Sequence, residues 1–186
     1  LTLLVATEHG VYKTTDALGA CIWSQVLPTP TQSIAAHPAV TDTFFAAADV
    51  GSAGVYVYAT TDAGADWSVV AVEGSSEQDS VRDLCVEAPS GQNIYVPTGN
   101  KEFGRSTDGG ETFTLVKDQG LSPVACATAP GVSETVYFAS YVDYRHVAQS
   151  TDRGESWDKG DIYPSQYKDI NVNPYDGEVW VCLLYT

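Results

Sequence analysis

A short polar motif recurs along this chain at a nearly constant interval. The clearest copies are RSTDGGETF at 105–113 and QSTDRGESW at 149–157, and TTDAGADW at 60–67 is a third. A looser copy, TTDALGACIW, occupies 14–23. The aspartates of the four copies lie 46, 46 and 44 residues apart and are Asp16, Asp62, Asp108 and Asp152. A fixed period of this size indicates a repeat architecture and constrains the fold more than any other feature of the sequence.

Each repeat contains the same succession of short apolar runs. The first run ends at a proline, as in DLCVEAP (83–89), and the second follows a turn, as in NIYVPT (93–98). A third run leads into the motif, and a fourth starts at its aromatic residue, as in FTLVKD (113–118). The runs are rich in Val, Tyr, Thr and Phe, and none shows sustained helical periodicity. Four short strands per repeat predict an all-β fold made of β-propeller blades.

The motif itself falls on the hairpin between the third and fourth strands. Asp108 can turn its carboxylate onto backbone N–H groups of its own turn, and Gly110 can take a positive φ. Phe113 begins the next strand with a large side chain for the packing between blades. The equivalent residues of the other regular copies are Asp62, Gly64 and Trp67, and Asp152, Gly154 and Trp157. At Asp16 the spacing is longer before both Gly19 and Trp23, so a distorted turn is expected there.

These motifs resemble the Asp-box, or BNR repeat, of the form Ser/Thr-x-Asp-x-Gly-x-x-Trp/Phe. The boxes are expected at about 14–23, 60–67, 106–113 and 150–157, within one domain spanning 1–186. The resemblance implies a β-propeller like those of sialidases, xyloglucan-active glycoside hydrolases, the sortilin ectodomain and Ycf48-type assembly factors of photosystem II. In these families the box is a folding element on the face away from the binding site. The resemblance therefore predicts the fold and says little about function.

The two ends of the sequence suggest an incomplete set of blades. The chain begins at a second strand, TLLVAT, and stops after another second strand, EVWVCLL (178–184). Closing four blades would leave that last strand without a place. We therefore expect a segment of a longer propeller, of six or more blades. The alternatives are a small propeller with an unusual closure, or one completed by a second chain.

Charge and hydropathy restrict the partners. The net charge is −15, from 24 acidic and nine basic residues, whereas nucleic-acid binding requires a basic stripe. No apolar run approaches the ~20 residues that would span a bilayer, so membrane insertion is not expected. No cofactor is predicted, and an extracytoplasmic or secreted location is the working hypothesis.

The cysteines do not suggest a metal site. Cys21, Cys85, Cys126 and Cys182 are widely spaced, without a CxxC pair or a histidine-bracketed set. Cys85 and Cys126 stand before prolines, at positions where other repeats carry isoleucine. We interpret both as small buried hydrophobic residues first and as a disulfide second.

Ligand-binding residues are expected on the face opposite the motif turns. Loops from second to third strands and loops between blades share that face, and rigidly held loops are where binding residues concentrate. The candidate loops are 49–54, 99–103, 140–146 and 160–167. Tyrosines beside a few polar groups suit a sugar or a peptide, and the candidate side chains are Tyr141, Asp143, Tyr144, Arg145, His146, Tyr163 and Tyr167. The alternative is a solvated loop whose tyrosines cover the edge of a blade.

Catalysis has one candidate residue. ADVGSAGVY (48–56) resembles the stretch that carries a catalytic aspartate in xyloglucanases, which points to Asp49; the alternative is an ordinary glycine-rich turn. An inverting hydrolase needs a second carboxylate ~6.5–9.5 Å away, and the sequence nominates none. A sialidase would need three arginines on one carboxylate, but Arg105 and Arg153 border or occupy the motif. Two functions remain, a non-catalytic module that binds a protein or glycan, and part of a secreted glycoside hydrolase.

Overall fold

The structure is a computed structural model that describes residues 2–117, 119–132, 134–140, 146–161 and 166–184. Over these ranges the chain forms β-strands and one 3₁₀ turn at Gly51–Ala53. This confirms the all-β prediction. The strands run in sequence order through five successive groups, which we call blades one to five.

Blade one contains β1 (Leu3–Thr7), β2 (Gly10–Thr14) and β3 (Ser24–Leu27). Blade two contains β4 (Ser33–Ala36), β5 (Phe44–Asp49), β6 (Val55–Thr60) and β7 (Ser68–Glu73). Blade three contains β8 (Cys85–Val86), β9 (Ile94–Pro97), β10 (Glu102–Ser106) and β11 (Phe113–Lys117). Blade four contains β12 (Pro123–Thr128), β13 (Val136–Ser140), β14 (His146–Ser150) and β15 (Asp158–Asp161). In blade five, β16 (Gln166–Val172) pairs with β17 (Val179–Leu184).

Strands within a blade are antiparallel and pair with their neighbours in sequence. The first strands of successive blades, β4, β8, β12 and β16, contact one another in that order. They are therefore the inner strands of a radial arrangement. At the periphery, the outer strands β7 and β11 add a short parallel pairing that joins blades two and three.

The hydrophobic core is divided among the spaces between blades. A four-stranded sheet has two faces and cannot bury both alone, so each blade packs on the next. Between blades three and four, Phe103 and Phe138 meet edge to face with ring centroids 4.9 Å apart. Trp157 stacks on Phe138 at 4.5 Å. The other clusters lie between blades one and two, two and three, and four and five.

A disulfide joins the inner strands of blades three and four. Cys85 on β8 and Cys126 on β12 are both buried and bonded to each other, with Cα atoms 6.0 Å apart. Both parts of the interpretation apply, because the two side chains are buried in the core and the disulfide given second place is formed. They can bond because neighbouring inner strands bring equivalent positions face to face. Cys21 and Cys182 are exposed and unbridged.

The repeated turns use the same hydrogen bonds in three blades. In blade three, Asp108 Oδ1 accepts hydrogen bonds from Ser106 Oγ (2.7 Å) and from the backbone N–H of Thr112 (3.0 Å). Ser106 Oγ also accepts from Gly110 N–H at 2.9 Å. The turns at Asp62 and Asp152 repeat this pattern. Each turn therefore satisfies its own backbone donors with its own side chains.

Gly110 is required by the neighbouring blade as well as by its own turn. Its φ is 93°, and a Cβ there would lie 2.9 Å from Cε1 of Phe45 on blade two. Gly64 and Gly154 occupy the same place in their turns, with φ values of 86° and 85°. The backbone of the turn therefore packs directly against the preceding blade, and there is no space for a side chain between them.

The turn at Asp16 differs, in line with its longer spacing. Asp16 Oδ2 accepts from Ala20 N–H at 3.0 Å, and the residue with positive φ is Cys21 rather than Gly19. Trp23 remains 42% exposed, whereas Phe113 is 2% exposed. The longer turn displaces the aromatic residue from the packing position.

We expect the disulfide to contribute strongly to stability. It closes a 41-residue separation, so the Cys85→Ala/Cys126→Ala double variant should lose about 2–4 kcal/mol of unfolding free energy. Urea unfolding of the oxidised wild type and the variant measures the loss. The matched control is Cys21→Ala/Cys182→Ala, whose midpoint should stay at the wild-type value. Equal midpoints for all three proteins would contradict the bond.

The turn hydrogen bonds make Asp108 a stability residue. Although partial burial opposes it, hydrogen bonds from Thr112 and Ser106 lower the pKa of Asp108 from 3.8 to about 2. Asp108→Ala should cost about 1 kcal/mol of unfolding free energy, and the neighbouring exposed Glu111→Ala should cost little. Because the folded pKa is depressed, this contribution is present above the ordinary pKa and disappears as the pH falls towards 2. If Asp108→Ala lost the same unfolding free energy at pH values near 2 as at neutral pH, the contribution would not come from the ionised carboxylate.

Candidate functional site

The two ends of the strands form two different surfaces. Val55 N–H donates to Ser75 Oγ at 3.0 Å, so the loop between β5 and β6 contacts the connection from blade two to blade three. We call this end the upper face, made of residues 28–32, 50–54, 74–84 and 98–101. The opposite end carries the repeated turns, and we call it the turn face. This division follows from antiparallel pairing, which sends alternate loops to opposite ends.

Asp49, the catalytic candidate, lies at the end of β5 on the upper face. Its carboxylate Oδ1 accepts a hydrogen bond from Nε2 of Gln32, at 3.2 Å. Its backbone N–H donates to Oε1 of the same side chain, also at 3.2 Å. This two-point contact ties the end of β5 to the segment that precedes β4. Asp49 thus holds the loop while remaining partly exposed.

The glycine-rich loop after Asp49 is closed on itself. Val50 N–H donates to Gly54 C=O at 2.8 Å, across the 3₁₀ turn. Gly54 has φ 89° and ψ −152°, a conformation open essentially only to glycine. A Cβ on Gly54 would also lie 2.6 Å from Ser75 Oγ. The loop is therefore a preformed element of the upper face.

The loop between β9 and β10 is held by the same connection. Arg82 N–H donates to Pro97 C=O at 2.8 Å, and the Arg82 side chain packs against the backbone of Gly99. Phe103, at the end of the predicted 99–103 loop, is only 1% exposed and belongs to the core. At the upper end of this blade, Lys117 Nζ lies 3.4 Å from Glu102 Oε1.

The predicted ligand-binding side chains have different outcomes. Those that lie outside the described residues are Tyr141, Asp143, Tyr144, Arg145 and Tyr163. The backbone of His146, at the start of β14, pairs with that of Asp161, at the end of β15, so these two strand ends lie at the same end of blade four. Tyr167 is only 4% exposed and packs in the core between blades four and five, so its prediction as a loop side chain open to ligand is wrong.

The turn face carries arginines that are already paired. Arg105 Nη1 lies 2.7 Å from Glu155 Oε1, and Arg153 forms an ion pair with Glu134. Glu87, 1% exposed, bonds Ser90, Asn93 and the backbone N–H of Glu134. Burial raises the pKa of Glu87, but these hydrogen bonds outweigh it and leave the pKa lowered. These charges serve contacts between blades three and four.

A groove of about 380 Å³ lies between the sheet of blade four and β17 of blade five. Tyr137, Val147, Gln149, Lys159 and Val179 contribute to its walls. Its walls are strand residues, so it is a part of the blade-four sheet that blade five leaves uncovered rather than a site assembled by loops.

Two kinds of site find no support in the described ranges. No group of three or more His, Cys, Asp or Glu residues is placed there to hold a metal ion. None of the helical structure in those ranges has the length and apolar character needed to cross a membrane.

The sequence matches no protein-family model, and no curated protein matches it. The backbone does resemble solved structures. An ancestral GH74 enzyme superposes with a TM-score of 0.76 and 18% identity, covering 100% of this chain and 28% of that one. The GH74 xyloglucanase from Xanthomonas campestris gives 0.75 and 16%, with 96% and 31% covered. YCF48 bound to a D1 peptide gives 0.61 and 15%, with 96% and 55% covered.

The fold is a β-propeller. At this level of identity the resemblance shows the fold and not the activity. The chain spans 28% and 31% of the two GH74 chains and 55% of the YCF48 chain. The comparisons therefore agree with the strand pairing in showing β-propeller blades.

Sequence reasoning missed Gln32, and it did not single out Asp79 or Glu102, although Glu102 lies within the predicted 99–103 loop. Gln32 stands just before a strand with no motif to mark it, and only the fold brings it to Asp49. Asp79 lies in the 74–84 segment of the upper face, and Glu102 begins β10, 23 residues later in the sequence. The only sequence feature that could have identified these two residues was that both are acidic. That feature is not specific in a chain with 24 acidic residues.

The two loop glycines should respond very differently to substitution. Gly54→Ala forces both a disfavoured φ/ψ and a clash with Ser75, so it should cost about 1–3 kcal/mol of unfolding free energy. Gly51, with φ 51° and open space around a Cβ, is the matched control, and Gly51→Ala should cost about 1 kcal/mol, since only the left-handed backbone conformation opposes the side chain. Thermal unfolding of both variants measures the difference. Similar losses would show that the loop adapts freely to a side chain.

Proposed function

We propose that this chain is a non-catalytic Asp-box propeller module whose upper face binds a glycan. The observation that carries the proposal is the engagement of Asp49 by Gln32 through both its carboxylate and its backbone N–H. A carboxylate used in this way positions a loop. The surrounding loops are closed by their own hydrogen bonds, which suits a preformed binding surface.

A glycan is favoured over a protein by the nature of the structural neighbours. The two with the higher TM-scores are GH74 enzymes, one of them a xyloglucanase, whereas YCF48 bound to a D1 peptide superposes less well. Aromatic rings at Tyr141 and Tyr144 would stack on sugar faces, and Asp49 or Asp143 would orient hydroxyl groups. A protein segment is the competing ligand, and its binding is an outcome of the test.

An extracytoplasmic or secreted location belongs to the same proposal. The disulfide between Cys85 and Cys126 supports it, since such bonds persist mainly in oxidising compartments. The net charge of −15 is compatible with a soluble module that meets an uncharged polysaccharide.

The second candidate is part of a secreted glycoside hydrolase of the xyloglucanase type. It is favoured by the position of Asp49, at the end of a second strand and at the head of a glycine-rich loop on the upper face. In this alternative, Asp49 would act with a carboxylate from outside the described residues.

A glycan array followed by calorimetry with xyloglucan oligosaccharides tests the proposal. The wild type should bind, and Tyr141→Ala/Tyr144→Ala should weaken binding at least about tenfold, because each stacked ring contributes about 1 kcal/mol or more. Tyr175→Ala is the matched control, since Tyr175 is 95% exposed on the turn-face hairpin of blade five. Binding that survives the double variant, or binding of peptides alone, would contradict a glycan site in these loops.

Turnover separates the two candidates. The proposal expects no release of reducing ends from xyloglucan by the wild type. If release occurs and Asp49→Asn abolishes it while the melting temperature holds, the hydrolase replaces the binding module. Asp143→Asn, measured in parallel, reports whether the aspartate predicted from the 140–146 loop takes part.

A further inference from the structure

The connection from blade two to blade three contains a buried carboxylate with an unusual environment. Asp79 is 3% exposed, and its Oδ2 accepts hydrogen bonds from the backbone N–H (2.8 Å) and hydroxyl (3.1 Å) of Ser76. Its other oxygen, Oδ1, is equally buried, and no N–H or hydroxyl donor from the described residues reaches it. An unsatisfied buried carboxylate oxygen is costly, so it calls for a donor.

The group that faces Asp79 is a second carboxyl. Glu102, at the start of β10, lies within hydrogen-bonding range of Asp79, and its side chain is only 19% exposed. Two ionised carboxylates at this separation repel each other, and neither can donate a hydrogen bond. One proton between them removes the repulsion and supplies the missing donor.

We propose that Asp79 and Glu102 share one proton, and that this proton is a pH-sensitive latch between the 74–84 connection and β10. The two donors from Ser76 stabilise the carboxylate of Asp79, so the proton resides on Glu102 and points at Asp79 Oδ1. The latch fixes the connection that also contacts the 50–54 loop through Ser75. It stands whether or not that loop binds a glycan.

The surrounding charges set the direction of the effect. Burial raises the pKa of Glu102, the charge of Asp79 raises it further, and Lys117 on β11 lowers it, with a raised pKa as the net result. The remaining ionisable groups of these segments are Glu77, Arg82 and Asp83 on the connection, Lys101 just before Glu102, and Arg105 further along β10. Burial also raises the pKa of Asp83, and this contribution is common to the wild type and to variants at Glu102, so it cancels when their curves are compared.

The sign of the pH dependence follows from linkage. A folded-state pKa above the unfolded value contributes stability that is fully present below the unfolded pKa. That stability is lost as the pH rises through the folded pKa. The latch is therefore closed in acid, and it loosens when Glu102 ionises.

The first test compares urea unfolding of the wild type, Glu102→Gln and the exposed control Glu77→Gln at several values between about pH 4 and pH 7. The glutamine amide donates to Asp79 at every pH, so Glu102→Gln should become more stable relative to the wild type as the pH rises. Glu77→Gln should follow the wild-type curve. Parallel curves for wild type and Glu102→Gln would overturn the inference.

The second test changes the midpoint instead of removing the group. Lys117→Met removes the cation that opposes protonation of Glu102. The pH at which the variant loses the stability contributed by the latch should therefore be higher than in the wild type. A purely structural role of Lys117 would lower stability equally at every pH, and that result would count against the latch.

A direct titration keeps the proposal testable even if a variant folds poorly. Carboxyl ¹³C chemical shifts of the wild type should show Glu102 titrating above its ordinary value, and amide exchange in 74–84 should accelerate above that midpoint. A Glu102 midpoint at or below the ordinary value would refute the shared proton. Stabilisation at neutral pH by millimolar Ca²⁺, abolished in Glu102→Gln, would put a metal ion in its place and would also refute it.

Discussion

The packing of each blade against the one before it is the constraint on which the rest of this structure depends. Each sheet is too thin to form a core of its own, so the buried side chains come from two blades at a time. The turn glycine allows a close approach at each of these interfaces, with Gly110 against Phe45 and Gly154 against Phe103. The aspartate and serine of the same turn hold the backbone in the conformation that this approach needs. One motif therefore serves both the hairpin and the interface.

The inner strands are tied by a second set of links near the centre of the arrangement. Asp83 accepts hydrogen bonds from Ser33 Oγ on β4 (3.1 Å) and from Cys126 N–H on β12 (2.9 Å), so one carboxylate bridges three blades. Burial raises the pKa of Asp83, and hydrogen bonds from Cys126 and Leu84 oppose that shift. Together with the disulfide, this carboxylate fixes the relative positions of the blades. The positions of the loops that connect these strands are therefore set by the packing of the blades rather than by the sequences of the loops.

Much of the fold was predictable because prolines, glycines and the turn motif mark the ends of the strands. The disulfide was within reach as well, since Cys85 and Cys126 each stand four residues before a proline and so occupy equivalent inner-strand positions. Tyr167 was not predictable in the same way. A register shift between Tyr167 and Asp169 places Tyr167 and Ile170, three residues apart, in one core, where strict alternation would separate them. Gln32 met Asp49 only through tertiary structure.

The upper face combines a rigid part and a part whose rigidity depends on charge. The 50–54 loop is closed by backbone hydrogen bonds and a glycine conformation, neither of which responds to pH. The adjoining 74–84 connection instead depends on Ser76, Asp79 and Glu102. Oδ1 of Asp79 receives a hydrogen bond there when the carboxyl group of Glu102 is protonated. Because Ser75 in this connection accepts a hydrogen bond from Val55 N–H, the protonation state of Glu102 affects the support of the loop that follows Asp49. A ligand that orders the 74–84 connection would therefore bind more tightly in acid, since binding and protonation then favour the same closed arrangement.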